Sequence, residues 1–594
     1  MVDTLKKILE ILPAKDKMKL VVLLLLTLFG GALEIVSIGL IAGFVSVVLD
    51  PNILFNMEIL SPFLEFLAIE TQRDVLVYGS VFIIILFLIK NAYIVFYKYL
   101  KARFVHNRYR SISTRLFEVY MHTPYAFHLR RNSADLIRNV SREAGNITAS
   151  VMMPLLRIVS EGIMVVGLVT LLLVVEPVVT LAAIVLLGGT SFGFLKLIKN
   201  RMDYYGKEAF RERAGMIKAI SEGVGGLKDV TVMNRQNWFV ERFQRSVNLL
   251  TRSHIFRDVI KQSARPVLET VAVTGMLVIT IFLMWEGKSI ASLASILALF
   301  ALSIQRLLPA MNNMVNDYNV LHYHLPSVSP IHEDIMSLQV KKDKLDVEKV
   351  PFREKIELLS VTYAYPETEA EVLKNVSLVI PKGSAVGIVG STGSGKTTLV
   401  DIILGLLSSQ KGKVKIDGED IEKKMSAWQR NIGYIPQVIY LSDDTVKNNI
   451  AFGIPEEEID EERVWKCIKA AQLEKFVKEL SDGVDTFIGE RGVRLSGGQR
   501  QRIGIARALY SDPEVLVMDE ATSSLDNVTE KFVINAIEKL KKGRTLIIIA
   551  HRLTTVKKCD KLYILKEGKI VAEGSYEDLL NSSEDFQGMV DTGK

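Results

Sequence analysis

The chain has 594 residues, 49% of them hydrophobic and 24% charged, with a mean hydropathy of +0.25. That is too apolar for a chain in water throughout and too charged for one held wholly in lipid, so two parts of different character are expected. A disordered or collagen-like chain is excluded, two cysteines exclude a disulfide scaffold, and a net charge of +6 over this length gives no sign of a nucleic-acid partner.

Six apolar runs come first: 20–49, 75–97, 147–175, 178–198, 266–285 and 289–311. The first carries one formal charge, Glu34. As a helix it would be about 45 Å long, against a hydrocarbon core of about 30 Å. It is too long for a signal-peptide core, and no small-residue cleavage site follows closely, so it reads as a retained spanning helix. The third and fourth runs are parted only by Glu176 and Pro177, a tight hairpin at the membrane face.

The intervening loops are unequal. Residues 98–146 hold ten Lys or Arg and three acids, 200–264 are also long and basic, and the first nineteen residues carry five lysines. Residues 50–74 have one cation, Arg73, and five acids. The positive-inside rule therefore places both termini and the long loops in the cytoplasm, and six spans agree by parity. The long loops are helical in composition with few breakers. The spans are expected to run on into the cytoplasm and turn near 130–136 and 228–236. Short helices there would either dock on a soluble domain or lie as solvated loops. The outer stretch 52–69, with Ile53, Phe55, Leu60 and Phe63, reads as a short helix touching lipid at the membrane face or as a cap on the first two spans.

After Leu325-Pro326 the pattern changes. A charged linker includes Lys341, Lys342 and Lys344. From 352 onward short apolar strands alternate with helices, and 385–389, 515–518 and 546–550 read as buried parallel strands. The expected layout is an all-α six-helix transmembrane domain over 1–325, a linker over 326–351, and an α/β P-loop nucleotide-binding domain over 352–594. Cys467 and Cys559 both fall in the last part and are expected as free thiols in a reducing cytoplasm.

Gly390-Ser391-Thr392-Gly393-Ser394-Gly395-Lys396-Thr397 matches G-x-x-x-x-G-K-[ST], follows an apolar strand and opens a helix that continues with Thr398. Such a loop wraps backbone N–H groups around phosphate oxygens of ATP, Lys396 reaches the β- and γ-phosphates, and Thr397 ligates Mg²⁺. Val515–Met518 leads into Asp519 and Glu520. Asp519 suits the Mg²⁺ shell, and Glu520 suits orienting or deprotonating the attacking water.

Leu495-Ser496-Gly497-Gly498-Gln499 resembles the signature of ATP-binding cassette (ABC) proteins, and other elements follow in that family's order. The resemblance implies that Ser496, Gly497, Gly498 and Gln499 contact nucleotide. Tyr365 would stack on adenine, Gln437 would be the Q-loop glutamine reaching Mg²⁺ and water, and Glu490 would be the exporter X-loop acid. Ser524-Leu525-Asp526 would form the D-loop, and His551 would be the switch histidine at the γ-phosphate. Six spans followed by one cassette resemble an ABC exporter half-transporter over the whole chain. In that family ATP lies between the P-loop of one cassette and the signature of another, so a dimer is implied; the signature and Glu520 fit the active consensus, so a homodimer suffices, with a heterodimer as the alternative.

Cargo must be sought in the spans. Lys90, Arg157, Arg265 and Arg306 lie within or at the ends of apolar helices, with Glu34, Glu161 and Glu269 as possible partners. Charges there are costly unless they face a partner or water. Arg157 with Glu161, and Arg265 with Glu269, have i,i+4 spacing and could pair within one helix or serve function. Lys90 and Arg306 have no acid nearby in sequence and are the better candidates for an anionic head group. Among exporters, Gln305-Arg306-Leu307-Leu308-Pro309, the run from Asp317 to His324, the run from Ile432 to Leu441 and the greasy outer stretch resemble the bacterial lipid-linked oligosaccharide flippases. That resemblance implies that Lys90, Arg265 and Arg306 meet a lipid pyrophosphate, one of them being Lys where Arg is expected, without the bidentate fork. It implies ATP-driven flipping of a polyprenyl-pyrophosphate-linked oligosaccharide across the inner membrane. A multidrug or glycerolipid exporter is the alternative.

Overall fold

A computed structural model describes residues 2–49, 72–175, 177–285, 290–338, 348–366, 368, 370–519, 543–550 and 553–591. Glu176, Glu520, the expected D-loop, His551 and the outer stretch 52–69 lie outside the described residues. The chain divides into two compact units. One comprises Met1–Thr123 and Arg130–Lys341, and the other Pro124–Leu129 and Lys342–Lys594.

The first unit is helical. Its main elements are α1 (Val2–Ile11), α2 (Ala14–Leu49), α3 (Gln72–His122), α4 (Met153–Val175), α5 (Gly189–Gly225), α6 (Gln236–Trp285), α7 (Ile290–His324) and α8 (Val328–Ser337). Among the described residues four segments are long and apolar enough to cross a membrane: Ala14–Ile41, Leu76–His122, Ser133–Val174 and Thr180–Gly225. The fifth and sixth expected runs fall in α6 and α7. The 51 residues of α3 reach about 77 Å, far beyond any bilayer core, as expected of a span that continues past the membrane.

The first turn differs from expectation. Pro124 cannot continue α3, and Asn132 restarts a helix at Ser133–Arg138, its side chain accepting from the Ala134 N–H at 2.9 Å. The segment that belongs to the second unit is therefore Pro124–Leu129, not 130–136. The second turn lies where it was expected, a short helix Leu227–Val232 followed by Met233–Arg235 before α6. Residues 328–337, expected as linker, form α8 in the first unit.

Two features hold α8. One face of α1 buries Ile8, Ile11 and Leu12, the i,i+3 spacing of a helical stripe, and α1 lies on α8 with Lys7 Nζ donating to Ser329 Oγ at 3.1 Å. Asp334 is only 2% exposed. It accepts from the Tyr120 hydroxyl at 2.6 Å, from Asn139 Nδ2 at 3.3 Å and from Arg131 at 3.3 Å. The end of α3, the restarted helix and α8 thus share one carboxylate.

The second unit carries β1 (Lys355–Ala364), β2 (Glu371–Pro381), β3 (Ala385–Val389), β4 (Lys411–Ile416), β5 (Glu419–Asp420), β6 (Ile432–Ile435), β7 (Val515–Asp519), β8 (Thr545–Ile549), β9 (Lys561–Lys566) and β10 (Lys569–Gly574). One sheet has the order β2-β1-β4-β5 and is antiparallel. The other has the order β10-β9-β3-β8-β7-β6 and is parallel except at β10. All residues of β3, β7 and β8 are buried, as their unbroken apolar runs require of strands covered on both faces. One face packs Ile388, Val517 and Ile549 against α9 (Lys396–Ile403), and the other packs Met518 and Ile548 with α10 (Gly497–Tyr510). Ala126 of the Pro124–Leu129 segment packs on the first of these cores.

Candidate functional site

Two clusters match the residues singled out by sequence, one in each unit. In the second unit, the loop 390–395 leaves the carboxyl end of β3 and enters α9, and Asp519 ends β7, with β8 between them. Carboxyl ends of neighbouring parallel strands are where open α/β sheets bind ligands. Gly390 is required by close approach: a Cβ there would lie 2.2 Å from the Leu565 carbonyl oxygen. Gly395 has φ +102° and starts α9, a backbone that other residues resist. Lys396 Nζ, buried, donates to the carbonyls of Gly390 at 2.8 Å and Ser391 at 2.9 Å, so the loop curls around an ammonium group. Ser394 Oγ is buried without a hydrogen-bond partner. A glycine cradle, a central cation, an orphaned hydroxyl and a helix N-terminus together fit the phosphates of ATP.

Ser391, Thr392 and Gly393 are exposed at the mouth of the loop, and so is Thr397. Thr398 is buried, its Oγ1 sharing a hydrogen bond with the Tyr365 hydroxyl at 3.0 Å. Tyr365 therefore stands over the start of α9, its ring edge-on to Tyr363. Gln437 is exposed two residues beyond β6. Thr397 and Asp519 supply the hydroxyl and carboxylate oxygens that suit Mg²⁺, which would neutralise phosphate charge when bound.

The signature residues start α10. Ser496 caps it, its hydroxyl accepting from Gln499 N–H at 3.2 Å while Gln499 Oε1 accepts from Ser496 N–H at 2.8 Å. This reciprocal box fixes the helix N-terminus. Ser496 and Gly497 are exposed, and Gly498 is buried. The helix is fourteen residues long, so its dipole and free N–H groups favour an anion at that end.

One group at this site escaped sequence reasoning. Asp401 follows Thr397 by one helical turn and lies on the α9 side of the sheet with Asp519 and Tyr434. Burial, and then the neighbouring Asp519 charge, push its carboxyl up to about 6. The Tyr434 hydroxyl is pushed up by burial and by Asp519, Asp401 and Tyr125. A carboxylate within an otherwise apolar helical face, spaced i,i+4 from Thr397 of the phosphate-loop motif, is the signal the sequence offers.

The second cluster lies in the first unit. Arg306 pairs with Glu34 across helices at 3.0 Å. Lys90 is 2% exposed, its Nζ sits 4.1 Å from the centroid of the Phe87 ring, and among the described residues no carboxylate lies within ion-pair distance of it. Glu34 and Arg306 are its electrostatic neighbours. Arg265, expected beside them, pairs with Glu269 on its own helix at 3.9 Å, both side chains being largely exposed. Of the two readings open for Arg157 and Glu161, the intrahelical pair does not form. Arg157 turns to Asp317 on α7 at 3.4 Å, and Glu161 accepts from Asn313 at 3.0 Å.

Two family models match the chain: "ABC transporter transmembrane region" over residues 20–307 and "ABC transporter" over residues 373–523. The "ATP-dependent lipid A-core flippase" of Photorhabdus laumondii is 30% identical over 475 residues, covering 78% of this chain and 80% of that protein. The protein of the same name from Escherichia coli K12 is 27% identical over 545 residues, covering 91% and 93%. A solved bacterial Atm1-family ABC exporter with ATP bound shares the fold with a TM-score of 0.80 at 21% identity, covering 97% of this chain and 98% of that one.

Proposed function

The chain belongs to the ABC transporter family, with the layout of an exporter half-transporter that couples ATP hydrolysis to movement of an amphiphile, and from that premise we propose that it flips a phosphate-bearing glycolipid. The observation that carries this reading is Lys90. A buried cation with no carboxylate at ion-pair distance among the described residues, set in an apolar helix beside Arg306 and Glu34, costs at least a few kcal/mol unless it meets an anion or a hydrated cavity. Two cations against one acid leave net positive charge for a phosphate or pyrophosphate head group, and Arg306 adds a planar donor fork.

The finer reading is a polyprenyl-pyrophosphate-linked oligosaccharide. The names of the relatives favour a second one, a lipid A-core type glycolipid. Both carry phosphate next to sugar. The protein works as a homodimer in a bacterial inner membrane with its nucleotide-binding unit in the cytoplasm. Lys396, Thr397 and Asp519 hold Mg·ATP, and Ser496–Gln499 of a second copy close the site. Glu520 orients water, Gln437 reaches Mg²⁺ and water, His551 touches the γ-phosphate, and Lys90, Arg306 and Arg265 serve the cargo.

The test is ATPase activity of the protein in nanodiscs with a pyrophosphate-linked oligosaccharide, a lipid A-core glycolipid, a plain phospholipid and a drug panel. Stimulation by a phosphoglycolipid, lost in Lys90→Ala with Arg306→Ala, supports the proposal. Equal stimulation by drugs or plain phospholipid defeats it.

A further inference from the structure

Charged and amide groups on α3, α4 and α7 gather at a second level, and no role has been assigned to them. Lys101 follows Lys90 by eleven residues on α3, and Asp317 follows Arg306 by the same interval on α7. Eleven residues make about three helical turns, so each pair shares a helix face with a separation of about 16 Å. Arg157 and Glu161 of α4 join the lower level. Arg157 Nε lies 3.4 Å from Asp317 Oδ2, and Asn313 Nδ2 donates to Glu161 at 3.0 Å. Lys101 Nζ sits 5.5 Å from the Tyr97 ring centroid and makes no ion pair among the described residues. Between the levels, Tyr97 shares a hydrogen bond with Thr27 at 2.6 Å and Tyr93 donates to the Leu26 carbonyl at 2.6 Å.

The two levels differ in chemistry. The upper level, Lys90, Arg306 and Glu34, has an excess of positive charge. The lower one sets Lys101 and Arg157, with Lys261 and Lys98 as further electrostatic neighbours, against Glu161 and Asp317, and adds the amides Asn313 and Asn316. Two carboxylates interleaved with the cations repel a bare phosphate. What it offers is a dense set of planar donors and acceptors.

It is also under-satisfied. Asp317 is 5% exposed, and its Oδ2 has no aligned hydrogen bond despite the nearby guanidinium. Asn316 Oδ1 is buried without a partner. Buried polar atoms left open on one helix call for hydroxyl groups or water. Arg157 keeps 43% of its side chain exposed, so the cluster is reachable.

We propose that Arg157, Glu161, Asn313 and Asp317 form a carbohydrate-binding station, about 16 Å from the Lys90–Arg306 phosphate station, that holds the sugars of the head group. The proposal rests on the flippase reading and narrows it to lipids whose phosphate is followed by saccharide units. Vicinal sugar hydroxyls donate and accept at once, which matches paired carboxylates, amides and a guanidinium better than it matches a bare phosphate. A phospholipid with a small head group would fill the upper station only.

The experiment compares polyprenyl pyrophosphate with and without its oligosaccharide as stimulators of the nanodisc-held protein. The variants are Asn313→Ala, Glu161→Gln and Arg157→Gln, and thermal unfolding is run on each. The half-maximal concentration for the glycosylated lipid should rise about tenfold or more in the variants, towards that of the sugar-free lipid, whose own value stays within about twofold. Equal weakening for both lipids, or no change for either, overturns the proposal. If wild-type protein responds alike to both lipids, the station is refuted and the flippase reading stands. If it responds to neither of them, nor to a lipid A-core glycolipid, both fall. Glu161→Gln keeps the shape and the Asn313 hydrogen bond, so it separates lost sugar recognition from lost folding.

Discussion

Replacing Asp334 with alanine should destabilise the helical unit by about 2–4 kcal/mol. The carboxylate is 2% exposed and accepts from Tyr120, Asn139 and Arg131. Asn139 Nδ2 also donates to the Tyr120 oxygen at 3.1 Å, so it keeps a partner after the change. Tyr120, 4% exposed, loses the carboxylate that accepts its hydroxyl hydrogen, at a cost of about 1–3 kcal/mol. Arg131 is 43% exposed, and its share is at most about 1 kcal/mol. Asp334→Asn keeps an acceptor for Tyr120 and should cost only about 1 kcal/mol, as should Tyr120→Phe. The chain has two units, so a single free energy of unfolding is not defined and the order of apparent melting points in detergent is the readout. Alanine should melt lowest, with asparagine and the Tyr120→Phe variant between it and wild type. The Asp334→Ala, Tyr120→Phe double variant should cost less than the sum of the two single changes. An alanine variant that melts with the asparagine one, or strict additivity, refutes the hub.

Gly390→Ala places a Cβ 2.2 Å from the Leu565 carbonyl, which the loop can accept only by moving off the phosphate position. Binding of a fluorescent ATP analogue should weaken at least tenfold, and near-wild-type affinity would sink the cradle assignment. His324 is 6% exposed, and burial, followed by the charges of Arg213, Arg257, His254 and Arg142, lowers its pKa to about 3. Its folded pKa is depressed below the unfolded 6.5, so between those values the unfolded chain binds more protons and stability falls as pH drops, by about 1.4 kcal/mol per unit. Above pH 6.5 the effect is absent. His324→Gln should lose less melting temperature than wild type between pH 7 and pH 5, and parallel losses would refute the buried neutral histidine.

The geometry of the candidate nucleotide site is legible because phosphate binding is written in local backbone requirements. Gly390 and Gly395 must be glycine for reasons that lie within a few residues and one adjacent strand, so the motif and its strand-to-helix setting sit together in the sequence. The Ser496–Gln499 box is likewise a four-residue device. Composition alone does not place the first turn. Pro124 ends α3, and Asn132 is a helix cap, so 130–136 belongs to the next helix's start. Both signals are local and were present. Asp401 was passed over because it interrupts an apolar run without matching any motif.

Charge partners in the spans were legible only where one helix supplies both ends. Arg265 and Glu269 pair at i,i+4, but the same spacing failed for Arg157 and Glu161. An Arg placed before a Glu has the less favourable orientation on a helix. A buried carboxylate at Asp317 on α7 competes successfully, leaving Glu161 to take the Asn313 amide. Glu34 and Arg306 meet only because α2 and α7 are brought together by the fold, and no spacing in the sequence announces that. This is also why Lys90 is informative. Among the described residues the fold gives Arg306 a carboxylate and Arg157 another, yet leaves Lys90 almost wholly buried beside an aromatic ring. An apolar residue there would spare the chain a cost of about 2.5–3.5 kcal/mol for charge at the centre of a span. A group that the packing neither neutralises nor replaces is best explained by something that arrives from outside the chain carrying the opposite charge.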